Sequence, residues 1–391
     1  MIVSTVIVLL MTIPGLALFY GGMVRKKNVL SMCMQSFAIT CLVTLLWFIV
    51  GYSLIFTEGG VLYGGLSKAF LLGVTPESLV GTIPETVFIC FQLTFAVITT
   101  ALITGALAER MKFGALLVFA AVWLLAVYVP IAHMVWGGGL LGTAGVLDFA
   151  GGTVVHINSG VAGLVAAIFL GRRVGYGHEN MQPHNLTLSL IGASLLWVGW
   201  FGFNGGSAVG SNGLAGLALL VTQIAAAMGA LAWMAIEWLE KGKASVLGII
   251  SGAIAGLVAI TPAAGFVAPA SSLAIGALGG LFAYLASTKL KHWLKYDDSL
   301  DVFGVHGIAG FVGAILTGVF AAAAFGGKSG AVDGAGEQIL TQLYGVVVTI
   351  AWCAVVTGAI MLALKATIGV RVSEDSEREG LDIRAHGESV A

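Results

Sequence analysis

Apolar residues run along this chain in blocks, broken at intervals by short polar stretches. A helix needs about 20 apolar residues to cross a hydrocarbon core. By that measure the blocks predict eleven transmembrane helices, near residues 2–23, 30–56, 84–107, 113–134, 152–170, 186–206, 214–238, 245–260, 271–288, 302–323 and 338–364. The eighth is the weakest, because its apolar run stops at Thr261-Pro262.

The polar breaks are not alike. Taken alternately, the loops on one side carry Arg25, Lys26, Lys27, Arg110, Lys112, Arg172, Arg173, Lys241, Lys243, Lys289, Lys291 and Lys295, and the stretch after the last block adds Lys365, Arg371, Arg378 and Arg384. The other side carries only Lys68 and Lys328. Lys and Arg collect on the cytoplasmic side, so the N-terminus is expected outside and the C-terminus inside. A miscounted span would move every later loop across the membrane and destroy the asymmetry; the count and the orientation therefore support each other. Arg25-Lys26-Lys27 follow the first apolar block, the reverse of a signal peptide, so that block is expected to be a helix of the protein. The chain starts almost directly in it.

Composition narrows the class. Hydrophobic residues make up 58% and charged residues 9%, with mean hydropathy +1.01, against about 25% charged in a soluble protein. A cytosolic enzyme, a nucleic-acid binder and a disordered chain are thereby excluded, and a multi-pass protein of the cell membrane is expected. Cys33, Cys41, Cys90 and Cys353 all lie in apolar runs without a CxxC spacing. They are expected to be buried thiols, with neither a metal site nor a disulfide framework. The 56 glycines, twice the usual ~7%, suit close helix packing in lipid. The organisation expected is a membrane domain over 1–368 and a cytoplasmic tail over 369–391. Within the tail the charged run Ser373–Gly380 cannot lie in lipid and is either a solvated end or a docking element.

A repeat supplies the architecture. Asp148 stands eight residues before His156 and Asp298 eight before His306, in a shared pattern D-x6-VH-x3-G-x2-G whose copies lie 150 residues apart. The first copy enters span five and the second span ten. Five is odd, so the halves, about 1–171 and 185–323, must be inverted relative to each other, with the eleventh helix, about 338–364, added. In inverted repeats the functional site is expected at the repeat interface near the midplane.

Ionisable groups inside a span are costly and default to functional candidates. His133 lies at a span end and reads as interfacial, and Glu237 lies where a carboxylate reaches water. His178, His184 and His292 sit in loops and His386 in the tail. His156 and His306 remain, deep in matching spans. A neutral imidazole offers one donor and one acceptor, so the pair can share a proton and present hydrogen-bonding edges to a small molecule; the alternative is a bridge between helices. Asp148 and Asp298 either cap the helix N-termini that follow or bind directly. Phe91 and Phe95, four apart, share a helix face. Trp197, Trp200, Phe201 and Phe203 crowd span six. Most of the nine tryptophans read as interfacial anchors; Trp136, beside Gly137-Gly138-Gly139, does not.

These residues carry a resemblance. The runs Ile131–Gly139 and Asp148–His156 closely resemble the signature of the ammonium transporter (Amt/Mep/Rh) family. So do Trp197–Ser207, Asp301–Gly307 and the tail Glu377–Asp382. The match is to the Amt branch and reads as prokaryotic; at the N-terminus, where the pattern departs, no leader like that of some bacterial relatives is expected. The resemblance implies a homotrimer with one narrow pore per subunit, no cofactor, no metal and no enzymatic activity. It implies an outer ammonium site at Trp136 and Ser207 helped by Phe95 and Phe91, a gate of stacked Phe95 and Phe203, and the twin histidines beneath it. Trp200 and Thr261 flank the path, with Asp148 and Asp298 as structural or electrostatic support. The tail residues Arg371, Glu377, Arg378, Gly380 and Asp382 imply docking of a cytoplasmic PII signalling protein.

The physics of such a pore is that size cannot separate ammonium from potassium. A bare ion in an unlined apolar lumen is so costly that a group able to do so neutralises instead. Ammonium can release a proton; potassium cannot. The substrate, for which methylammonium is the analogue, is therefore expected to pass as NH₃, with net NH₃ and NH₃ plus H⁺ both open. Two other classes stay open on sequence. A haem protein would use His156 and His306 as axial ligands, and a sodium-coupled carrier would show broken spans and midplane acids. A sensing role alongside transport also stays open.

Overall fold

A computed structural model describes residues 1–390. Among the described residues ten helices are long and apolar enough to cross a membrane. With the shorter α8 they are α1 Ile2–Met23, α2 Lys26–Phe56, α3 Glu85–Leu107, α4 Phe113–Thr143, α5 Gly152–Leu170, α6 Leu186–Gly206, α7 Gly213–Lys241, α8 Val246–Ile260, α9 Pro269–Leu294, α10 Phe303–Phe320 and α11 Glu337–Thr367. The helix α8 has 15 residues, as the break at Thr261-Pro262 leads one to expect. The helices α7, α9 and α11 overrun their apolar blocks by a few residues, because helix ends carry polar side chains that hydropathy does not count, whereas α4 runs on through Trp136 and three glycines to a last apolar turn, Leu140–Thr143.

Close approach decides how these helices pack. α1 runs against α6, and α5 against α10. At the α5–α10 crossing Gly160 faces the backbone of Gly307, and a Cβ at either residue would overlap its neighbours. Small residues let helix backbones approach in lipid, where no hydrophobic force drives them together. On one end, here the basic face, the loops of Arg25–Asn28, Arg110–Lys112 and Gly171–Val174 converge. The other end, the neutral face, is closed by the segment between α2 and α3, with a short strand pair Leu79–Val80 and Ile83–Pro84.

The tail is not a solvated end. Val372 N–H donates to Arg110 O at 3.0 Å and Lys112 N–H to Val370 O at 2.9 Å, which extends the chain along the basic loops. A short helix α12, Glu374–Glu379, follows.

Several sequence expectations are corrected. Of the cysteines only Cys353 is buried; Cys41 and Cys90 are exposed on the subunit surface and Cys33 is intermediate. An apolar run in a membrane protein has an outward face, so hydropathy does not imply burial. Trp47, Trp123, Trp200 and Trp233 are buried and only Trp238 and Trp293 are strongly exposed, so interior packing outweighs anchoring. His133 is not interfacial. It is buried, with ring nitrogens 2.7 and 2.8 Å from the carbonyls of Ile55 and Gly60, fastening α4 to the end of α2. Glu237 is buried too, accepting from Ser245 Oγ at 2.8 Å and Lys241 at 3.1 Å.

Candidate functional site

A file of rings leads inward from the neutral face. Trp136 ends the long helical run of α4 before three glycines, and its Nε1–H donates to the carbonyl of Asp148 at 2.9 Å. That bond fixes the indole beside the start of α5 with its ring half-exposed. Phe95 meets it edge-on, centroids 5.9 Å apart. Ser207 stands at the end of α6, its hydroxyl donating to Phe203 O at 2.8 Å while its oxygen keeps acceptor capacity.

Beneath this mouth Phe95 and Phe203 stack face to face, centroids 4.0 Å apart and planes 17° apart, both buried. Phe91 lies behind Phe95, centroids 4.9 Å apart and tilted 64°. Being fully buried, it backs the stack rather than lining the mouth.

Below the stack come the imidazoles. His156 and His306 lie with Nδ1 atoms 3.3 Å apart and rings nearly parallel, at 13°. One Nδ1 must donate and the other accept. Trp200 lies against His156 at 5.3 Å and 15°, and its Nε1–H donates to Thr261 Oγ1 at 2.9 Å. Thr261 in turn donates to Leu257 O at 2.7 Å, so the hydroxyl that ends α8 orients the indole that supports His156. His156 Nε2 has no protein partner.

The space beside the imidazoles is a narrow cavity of ≈ 10 Å³ whose walls, apart from the two histidines, are apolar or aromatic, including Ile98, Leu102, Leu196 and Ile254. About 10–15 Å³ is the room one water needs. Toward the basic face a wider vestibule of ≈ 170 Å³ begins at His306 and is bordered by Tyr20, Glu237, Lys241, Ser287 and Asp301. Sequence reasoning missed these walls, since an apolar residue in an apolar chain carries no chemical signal. One was available in register: Ile98 and Leu102 continue the Phe91–Phe95 face in steps of three and four, and Leu196 precedes Trp200 by four.

The two aspartates cap unequally. Asp148 accepts from the N–H groups of Gly151 (2.8 Å), Gly152 (2.6 Å), Thr153 (2.8 Å) and Val154 (3.1 Å) and from the Thr153 hydroxyl. Gly151 reaches φ +110° to make this turn. Burial raises the Asp148 carboxyl above its usual range, with these bonds opposing the rise. Asp298 accepts from Phe303 N–H at 2.7 Å, and its Oδ1 has no partner. Burial pushes its carboxyl up to about 6, Lys291 opposing and Asp301 adding.

The tail residues are all engaged. Arg371 donates to the carbonyls of Leu170 (3.0 Å) and Arg172 (2.6 Å) and pairs with Glu377 at 2.8 Å. Glu377 accepts from Val174 N–H at 2.6 Å. Asp382 accepts from Leu30 and Ser31 N–H at 3.1 and 2.7 Å, satisfying donors at the start of α2. Gly380 sits at φ +114° against Lys27, where a Cβ would collide, and Arg378, at the surface, pairs with Glu374 and Glu179.

Comparison with known proteins places this arrangement. The model described as Ammonium Transporter Family matches residues 1–391. The chain is 49% identical to the ammonium transporter of Aquifex aeolicus, covering 99% of this chain and 91% of that one. With the ammonium transporter of Bacillus subtilis it shares 48% identity, covering 99% and 96%. Among solved structures it resembles Mep2 of Saccharomyces cerevisiae, with TM-score 0.89 and 38% identity over 95% of this chain and 86% of that one. It also resembles a Sensor Amt Protein, with TM-score 0.92 and 30% identity over 98% and 96%.

Proposed function

The chain belongs to the ammonium transporter family, and from that premise we propose that it captures NH₄⁺ at Trp136 and Ser207, strips its proton at the Phe95–Phe203 stack and conducts NH₃ past His156 and His306. It is a multi-pass membrane transporter of ammonium and not an enzyme. The observation that carries the mechanism is the closed aromatic stack above a cavity of ≈ 10 Å³ walled by apolar side chains.

Trp136 presents a half-exposed face whose quadrupole attracts a cation, worth about 0.5–2 kcal/mol, and Ser207 offers an acceptor for an ammonium N–H. Potassium gains the same ring attraction, so discrimination falls to the step below. There the desolvated ion has no compensating ligands, and only a species that can neutralise itself enters. NH₃ then keeps hydrogen bonds to the two imidazoles, which alternate donor and acceptor. The proton given up at the stack goes to His156, whose Nε2 has no protein partner, and on to His306 across the 3.3 Å contact, so NH₃ and H⁺ both cross and transport is electrogenic. That contact argues against the haem alternative: axial nitrogens stand about 2 Å from a metal on either side, and these are already in contact.

The reading extends to the whole assembly. α8 completes eleven spans, arranged as two inverted five-helix halves, 1–171 and 185–323, plus α11; the membrane domain is 1–368. The basic face lies in the cytoplasm of a cell whose plasma membrane holds the protein, with the N-terminus outside. Three copies form a homotrimer. The docked tail, 369–391, gives a PII signalling protein its seat at the pore exit through Arg371, Glu377, Arg378, Gly380 and Asp382. A sensing role accompanies transport as the second reading, favoured by the likeness to the Sensor Amt Protein.

Methylammonium uptake by cells lacking their own carriers tests the core of this. The parent chain restores uptake, His156→Ala abolishes selective uptake and Trp136→Ala weakens it at low concentration. Parent-like uptake by His156→Ala would refute the imidazole route.

A further inference from the structure

The two imidazole-bearing helices are anchored by unlike devices. Asp148 caps α5 by itself, through four backbone N–H groups and a hydroxyl. Its counterpart Asp298 takes one backbone N–H in hydrogen-bond contact and leaves Oδ1 without a partner. A second anchor, one that holds the segment before α10 and not its N–H groups, stands one residue earlier. Asp297, fully buried, accepts from Arg173 Nη2 at 2.8 Å, Nε at 3.0 Å and backbone N–H at 2.7 Å. Its carbonyl accepts from Arg110 Nη2 at 2.5 Å. Glu109 holds Arg173 at 3.4 Å and Arg25 at 2.7 Å.

These residues sit at the ends of particular helices. Arg173 follows the end of α5, which bears His156; Glu109 and Arg110 follow α3, which bears Phe95; Asp297 precedes α10, which bears His306. The cluster thus gathers three pore-lining helices from both halves of the chain. His306 is only three residues beyond Phe303, about 5 Å of helical rise. Asp298, the neighbour of Asp297, accepts from Phe303 N–H, so a shift at Asp297 passes through that bond into the first turn of α10 and its imidazole.

We propose that the Asp297–Arg173 pair is a positioning clamp that sets the His306–His156 contact and, through it, the selectivity of the conduit. This rests on the twin-imidazole reading above. A forked Arg–carboxylate pair fixes direction as well as distance, and removing one partner leaves an uncompensated buried charge. Neither residue touches the permeant; both act through His306.

The test measures ammonium and potassium flux per transporter in liposomes holding the purified full chain, for the parent, Asp297→Asn, Arg173→Lys and His306→Ala. Asp297→Asn should lower the ammonium-to-potassium flux ratio about ten-fold, below the ~100-fold that a 1 Å misplacement can cost, with ammonium half-saturation unchanged. Arg173→Lys, which keeps the charge and loses the fork, should lower the ratio less. A defect of folding alone reduces both fluxes together and leaves their ratio at the parent value. A parent ratio in Asp297→Asn, with His306→Ala altered, overturns the clamp alone. If Asp297→Asn does not assemble, a parent ratio in Arg173→Lys overturns it. A parent ratio in His306→Ala overturns the imidazole reading and the clamp with it.

Discussion

Replacing Trp136 by leucine removes a ring face and leaves most of the bulk. The indole is half-exposed, flanked edge-on by Phe95 at 5.9 Å and held by its bond to Asp148 O. Cation–π attraction runs from about 0.5 kcal/mol at exposed sites to ~2 kcal/mol when desolvated, and this half-covered ring falls near 1 kcal/mol. At 1.4 kcal/mol per decade that is about a five-fold loss of affinity. The barrier lies at the adjoining Phe95–Phe203 stack, so the ring's attraction is lost alike from the bound ion and from the ion at the barrier, and the maximal rate should stay within about two-fold. The assay is methylammonium uptake against concentration in carrier-deficient cells, normalised to transporter amount. Trp136→Phe, which keeps a weaker face but lacks the N–H, should fall between parent and leucine. An unchanged half-saturation with a collapsed maximal rate would refute the reasoning, because Trp136 would then act on passage and not on capture.

Three further outcomes follow from the geometry. Gly160→Ala places a Cβ against Gly307 at the α5–α10 crossing; the overpacking should cost about 1–3 kcal/mol and spread the imidazoles, giving a lower melting temperature together with lost uptake. Asp298 has its carboxyl raised to about 6 by burial, against an ordinary 3.8, so the stability it contributes is present below the ordinary value and lost as pH climbs through about 6. Asp298→Asn, which keeps the acceptor and drops the charge, should therefore raise the melting temperature at pH 8 and by about half as much at pH 5; an equal gain at both would contradict the assignment. Asp382→Ala removes the acceptor at the start of α2, a cap worth about 1 kcal/mol, and should loosen the tail; a PII pull-down with this variant and with residues 370–391 deleted should recover less partner, and undiminished recovery from both would discard the tail as its seat.

Much of the helical frame was legible because a membrane imposes a length on apolar runs, and the ends of α1, α3, α5 and α6 fall within a residue of the hydropathy breaks. The candidate site residues stood out for the opposite reason: a polar or aromatic group in an apolar chain needs a purpose. What sequence could not convey was facing. Hydropathy does not separate Cys353, inside, from Cys41, outside, nor the buried Trp123 from the exposed Trp293. His133 and Glu237 lie near helix ends, where water is the ordinary expectation; their carbonyl, lysine and serine partners come from tertiary contacts with other segments or from the local turn. The cavity walls were hidden because Ile98 and Ile254 differ from other isoleucines only in where they point.

The central claim is that a permeant able to shed its proton crosses an apolar conduit closed to permanently charged ions. Liposomes holding the purified parent protein, given matched inward gradients of ammonium or potassium, test it most directly. The account predicts rapid nitrogen entry with a potassium flux per transporter that is a small fraction of it. Potassium entering at a rate comparable to ammonium would contradict it.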